Sequence, residues 1–206
     1  MGVSLDLRVV ELLCSRLCHD LVGPVGAVNN GVELVEELGA AEAGDAFELV
    51  ADSGRLAAAR LKLFRLAYGA AGSEPGVSFD TAQAALAAWF QRSKLKIDWQ
   101  TPAWPEAPAG TAKVLLNVVL LAEEALPQGG TLAISGTAPQ LRLAGLGKGA
   151  GLKPEAREAL AGLVAIEALS PRTVQGYITG RFAEHFGFRV TAEAAAADQV
   201  GLRIER

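Results

Sequence analysis

Two runs of apolar and small residues, each stepping alternately by fours and threes, constrain this chain more than any other feature. The first reads Val10, Cys14, Leu17, Leu21, Pro24, Val28, Gly31, Val35, Leu38; the second reads Phe47, Val50, Gly54, Ala57, Leu61, Phe64, Tyr68, Ala71. Such alternation is a heptad stripe, the mark of a helix that buries one seam against another helix. The second run opens with Asp45-Ala-Phe-Glu48, which predicts a capping box with Asp45 in the cap position. Together the runs predict a hairpin of two long helices within residues 1–72. Each helix covers only one side of the other, so the leftover apolar face predicts a homodimer in which two hairpins close into a four-helix bundle.

The turn-rich segment GSEPGVSFD, residues 72–80, reads as the domain boundary and ends in Asp80, placed to cap the next helix. Beyond it the pattern changes. A helix TAQAALAAWFQRSK precedes an alternating strand KLKIDWQ, a proline-rich loop and a helix TAKVLLNVVLLAEEAL. The strands GGTLAISG and QLRLAG follow, then helices over 153–163 and 171–186, and the closing strands FRVTAEA and VGLRIE. Residues 79–206 therefore predict an α/β sandwich, and the fold class is α plus α/β.

The composition excludes several roles. A net charge of −4, with Lys and Arg scattered singly, gives no basic stripe for nucleic acid. Asp6 and Glu11 interrupt the N-terminal run where a signal peptide would be uncharged, and no stretch is long and apolar enough to span a membrane, so a cytoplasmic protein is expected. Cys14 and Cys18, four apart on a helix, read as two small buried thiols in a reducing compartment. With His19 they make three potential metal ligands, two of them sharing one turn, which falls short of a closed site, and no metal is expected.

Helical phase singles out His19. With the stripe turned inward, His19 falls on the outermost line of its helix, together with Arg8, Ser15, Gly23, Gly26, Asn30 and Glu37. Glycine inside a helix costs about 1 kcal/mol against alanine, and two on one exposed line leave room for another surface to approach. Pro24 cannot donate to the carbonyl of Asp20, which leaves that carbonyl free to relax outward. Imidazole is mostly neutral near pH 7 and has one nucleophilic ring nitrogen, while the carboxylate of Asp20 can orient the ring through the other. Ser15, Arg16, Gly23, Gly26 and Asn30 form the candidate docking set. Arg16 reads equally as a group that steers an acidic partner and as a solvated surface arginine. The second histidine, His185, ends a helix, where a structural role fits best.

His19-Asp20-Leu21-Val22-Gly23-Pro24 resembles the H-box of two-component histidine kinases, with Val25 where leucine is usual. Lys113 to Leu126 resembles the kinase N-box, with Asn117 in the first asparagine position but Leu121 at the second, magnesium-chelating one. Ala144 to Gly149 resembles the adenine-reading Asp-x-Gly-x-Gly loop, yet no aspartate occurs between Asp98 and Asp198. The segment SPRTVQGYITGRF supplies no paired glycines for a phosphate loop. With RLCHD, FRLAYGA, IDWQ and ALPQGG, the chain is similar to the stand-alone histidine phosphotransferases of the ChpT type. That resemblance implies phosphorylation of His19, a ring-orienting or ring-neutralising Asp20, no bound ATP or other cofactor, and Mg²⁺ carried by the partner. The implied partners are the receiver domain of a hybrid histidine kinase (CckA type) and response regulators (CtrA and CpdR type). An unusual kinase and a catalytically inert dimeric adaptor are the competing readings.

Overall fold

The computed structural model describes residues 6–39, 42–73, 77–102 and 107–206. Two long helices, α1 (Leu7–Leu38) and α2 (Gly44–Ala67), form the hairpin. Asp6 caps α1 by accepting the Arg8 amide at 2.8 Å. The capping box expected at Asp45 does not form: the cap position falls two residues earlier, at Ala43, which supplies no side-chain cap, and Asp45 lies in the first turn, where its charge suits the helix dipole. The helices approach closely at Gly31, where a Cβ would meet Val50 Cγ2 at 2.6 Å.

Leu17, Leu21, Pro24, Val28, Gly31 and Val35 are withdrawn from solvent as the stripe predicts, whereas Val10, Cys14 and Leu38 are exposed in the single chain. The first turns of α1 pack elsewhere. Val9 and Leu12 lie in a small core with Ala159, Leu169, Val174 and Ile178 of the C-terminal region, which rotates the buried face away from Val10 and Cys14. Cys14 and Cys18 are therefore exposed free thiols, not the buried pair expected from their spacing.

The C-terminal region comprises α3 (Phe79–Trp89), β1 (Leu95–Trp99), α4 (Thr111–Glu124), β2 (Gly130–Thr137), β3 (Gln140–Leu146), α5 (Pro154–Leu160), α6 (Val174–His185), β4 (Arg189–Glu193) and β5 (Gln199–Glu205). Ser78, not Asp80, caps α3, its hydroxyl accepting the Thr81 amide at 3.1 Å. The sheet order is β1-β2-β3-β5-β4, with only β1 and β2 parallel, joined through α4. Leu141, Leu143, Leu202 and Ile204 point into the core, and Arg142 and Arg203 point outward to share Glu193. Every residue of α4 from Thr111 to Ala122 is buried. A helix apolar all round is a central one, and α4 has the sheet on one side and α2, α3 and α6 on the other.

Three bonds tie the end of α2 to this centre. Asn117 donates Nδ2 to the carbonyl of Ala67 at 2.7 Å, Lys113 donates Nζ to the carbonyl of Gly69 at 2.6 Å, and Tyr68 donates its hydroxyl to Gln175 Oε1 at 2.6 Å. Burial holds the Lys113 ammonium below the usual lysine range, and the ring of Phe182, 4.6 Å from Nζ, offers it a partner. Among the described residues no helix is long and apolar enough to cross a membrane.

Candidate functional site

His19 stands in the middle of α1 with its side chain 88% exposed. Its Nδ1 lies 3.2 Å from Oδ1 of Asp20. A carboxylate only accepts, so Nδ1 carries a proton, and in the neutral ring the lone pair is then on Nε2. The pair of adjacent residues thus meets within the free chain, with the Asp20 side chain 26% exposed.

Ser15, Gly23, Gly26 and Asn30 are all exposed, and a Cβ built on Gly23 or Gly26 would meet nothing within 4 Å. Arg16 differs from both sequence readings. Its side chain is 16% exposed and forms an ion pair with Glu124 at the end of α4. Burial works against this cation, but Glu124, with Tyr68 and Asp20, together outweighs it and leaves the guanidinium above its ordinary range. The same burial raises Glu124, against the pull of Arg16.

The carbonyl of Asp20, expected to be open because of Pro24, is taken by Arg60 of α2, which donates Nη1 to it. Arg60 also lies against the ring of Trp89, with 5.7 Å from guanidinium carbon to centroid. Trp89 donates Nε1 to both carboxylate oxygens of Glu123, at 3.2 and 3.0 Å. Burial pushes the Glu123 carboxyl up to about 7, with Trp89 and Arg16 opposing it. Burial likewise lifts the Tyr68 phenol to about 12. Arg60, Trp89, Glu123 and Glu124 were not identifiable as site residues from sequence: their partners lie tens of residues away, and only the proline pointed to a carbonyl in need of a donor.

The positions that resemble a nucleotide site are built into the fold. Leu121 is fully buried. Asn117, also fully buried, uses Nδ2 on the carbonyls of Ala67 and Lys113, at 2.7 and 2.9 Å, and its Oδ1 accepts from Gln175 at 3.3 Å. No donor set for a hydrated divalent cation remains at these two residues. Gly176 and Gly180 of α6 admit α5: a Cβ on Gly176 would meet the carbonyl of Ala156 at 2.6 Å, and one on Gly180 the carbonyl of Leu160. The loop after β3 is tied down by Asp198, whose Oδ1 accepts the Gly149 amide at 2.6 Å. His185 is the last residue of α6, its ring edge-on to Phe186 at 4.7 Å.

Fold, site and comparison with known proteins together define a protein phosphotransferase of two-component signalling. Residues 79–198 match the family described as the histidine phosphotransferase C-terminal domain. The chain is 40% identical over 203 residues to the protein phosphotransferase ChpT of Brucella abortus (strain 2308), covering 96% of this chain and 94% of that one. It is also similar to a solved bacterial phosphotransferase, at a TM-score of 0.80 and 35% identity over 98% of each chain. The chain belongs to the histidine phosphotransferase family, ChpT type.

Proposed function

We propose that this protein carries a phosphoryl group on Nε2 of His19. It would accept the group from the receiver aspartate of a CckA-type hybrid histidine kinase and pass it to the receiver aspartates of CtrA- and CpdR-type response regulators, in the cytoplasm and without binding ATP. The observation that carries this reading is the exposed imidazole with its Nδ1 engaged by Asp20. In the forward step Nε2 attacks the phosphorus of the aspartyl phosphate in line. The N–P bond forms as the P–O bond to the aspartate breaks and the carboxylate leaves. Asp20 accepts a hydrogen bond from Nδ1–H throughout, and its negative charge balances the positive ring of the phosphorylated imidazole. The second transfer reverses these roles with a new carboxylate. Mg²⁺ is expected to come with the partner's receiver domain.

The open space over Gly23 and Gly26, flanked by exposed Ser15 and Asn30, supports this side of α1 as the docking surface. The buried, bonded Asn117 and the buried Leu121 support a reading without ATP. The protein would act as a homodimer. Phe47, Gly54 and Leu61 recur at seven-residue intervals on α2, with Leu61 56% exposed, and Val22, 69% exposed, lies with Val25 and Val32 on a solvent-facing side of α1. Such a face suits a second hairpin, and sedimentation at micromolar protein checks it.

Purified protein mixed with a phosphorylated receiver domain should acquire acid-labile, alkali-stable label; mixed with labelled ATP alone it should acquire none. Self-labelling from ATP would instead identify a kinase. An adaptor would sustain signalling after His19→Ala, whereas the carrier proposed here would not.

A further inference from the structure

A helix bonds each carbonyl to the amide four residues on, and Pro24 has no amide hydrogen. The carbonyl so deprived is that of Asp20, the residue whose side chain holds the His19 ring. The structure fills the gap from across the hairpin, with the Nη1 donation of Arg60, forty residues away in sequence. Arg60 is itself half-buried and held from its other side by Trp89. Trp89 is fixed in turn by its bond to Glu123 on α4 and by an edge contact to Phe64, 5.4 Å between centroids at 65°. A continuous series of contacts thus runs from the His19 turn through α2 and α3 to the central helix.

We propose that Arg60 is a positioning residue for phosphoryl transfer at His19, a role that rests on reading His19 as the phosphoacceptor. Left to water, the Asp20 carbonyl would have a loose, exchanging partner, and the turn around it could settle in several orientations. A guanidinium braced against an indole gives it one charge-assisted donor in a fixed place. That fixes the backbone of Asp20, hence the carboxylate at His19 Nδ1, hence the tautomer that leaves Nε2 nucleophilic. The cation also lies beneath the turn where phosphorylation adds negative charge. Arg60 touches neither ring nor phosphate, and its effect passes through Asp20.

The test compares full-length wild type with Arg60→Met, which keeps the aliphatic packing, and Arg60→Lys, which keeps a cationic donor. One readout is the rate of label transfer from a phosphorylated receiver domain as receiver concentration is varied. The other is the His19 ring tautomer, read by long-range ¹H–¹⁵N correlation on unphosphorylated protein. Arg60→Met should slow the saturated transfer rate by ~10- to 100-fold, the scale expected when a reacting group loses its orientation, with little change in half-saturation. Its ring should shift from the Nδ1–H form toward a tautomer mixture, and Arg60→Lys should restore most of both. A folded Arg60→Met protein with wild-type transfer and an unaltered ring would overturn the proposal. So would equal losses in both variants that follow lowered thermal stability with an unaltered ring. Should wild type itself take no label, the phosphoacceptor reading fails, and the tautomer measurement, which needs no phosphate, still decides the role of Arg60.

Discussion

His19 on α1 and Asn117 on α4 each belong to a motif with two-component resemblance, and the two helices treat these residues in opposite ways. The hairpin leaves its histidine almost wholly in solvent, beside glycines with open space above them. The central helix of the C-terminal region has drawn its asparagine inward and made it a bond to the end of α2. One residue stands in solvent; the other is part of the packing. A polar group on the surface can be changed with little effect on folding, whereas a buried one with several partners cannot.

Substitutions should separate the two cleanly. His19→Ala should abolish phosphoryl acceptance from a receiver domain while shifting unfolding free energy by no more than ~0.5 kcal/mol, as for other exposed positions. Asn117→Ala should do the reverse: stranding the Ala67 carbonyl and the Gln175 amide should cost about 3 kcal/mol in urea denaturation, with transfer per folded molecule preserved. If Asn117→Ala removed transfer from fully folded protein, the contrast would break.

Glu123 probes the ground between the two regions. Its folded carboxyl titrates at about 7 against an ordinary 4.5, so between those values the native state binds more protons than the unfolded state. Stability should therefore fall as pH rises through this window and level off above it. Glu123→Gln keeps an acceptor for Trp89 and removes the titration. Its advantage over wild type should grow from near zero at pH 5 to about 2 kcal/mol at pH 8, measured by urea denaturation at both. The smallest effect is expected at Gly23. Gly23→Ala should stabilise the hairpin by up to about 1 kcal/mol, since nothing lies in the way of the new methyl, and should slow transfer by crowding the receiver.

Helical phase alone was enough to put Ser15, His19, Gly23, Gly26 and Asn30 on the outside, because a period of 3.6 is a local property of the chain. Arg16 lies on the same helix, yet phase does not describe it, because its side chain is held by a distant residue. Its partner, Glu124, is 108 residues away, and no local pattern reveals such a pairing. The expected caps at Asp45 and Asp80 missed for a related reason: several capping residues or helix starts compete within two positions, and tertiary packing selects among them. Val10 and Cys14 fit the heptad as well as Leu17 does, but the start of α1 has a different neighbour and turns a different face to it. Leu121 at the second position of the segment resembling an N-box is legible in the sequence. What Asn117 now does became visible only with the end of α2 beside it.

The way α2 ends governs how this chain can be taken apart. The carbonyls of Ala67, its last residue, and of Gly69 just beyond it are answered by Asn117 and Lys113, and Leu63, Leu66 and Ala67 share one core with α4 and the sheet. Severed after residue 73, the hairpin would bare those carbonyls and side chains to water. The histidine-bearing helices are therefore no cassette to be cut out and grafted onto another module, and the smallest transplantable unit includes both halves of the chain.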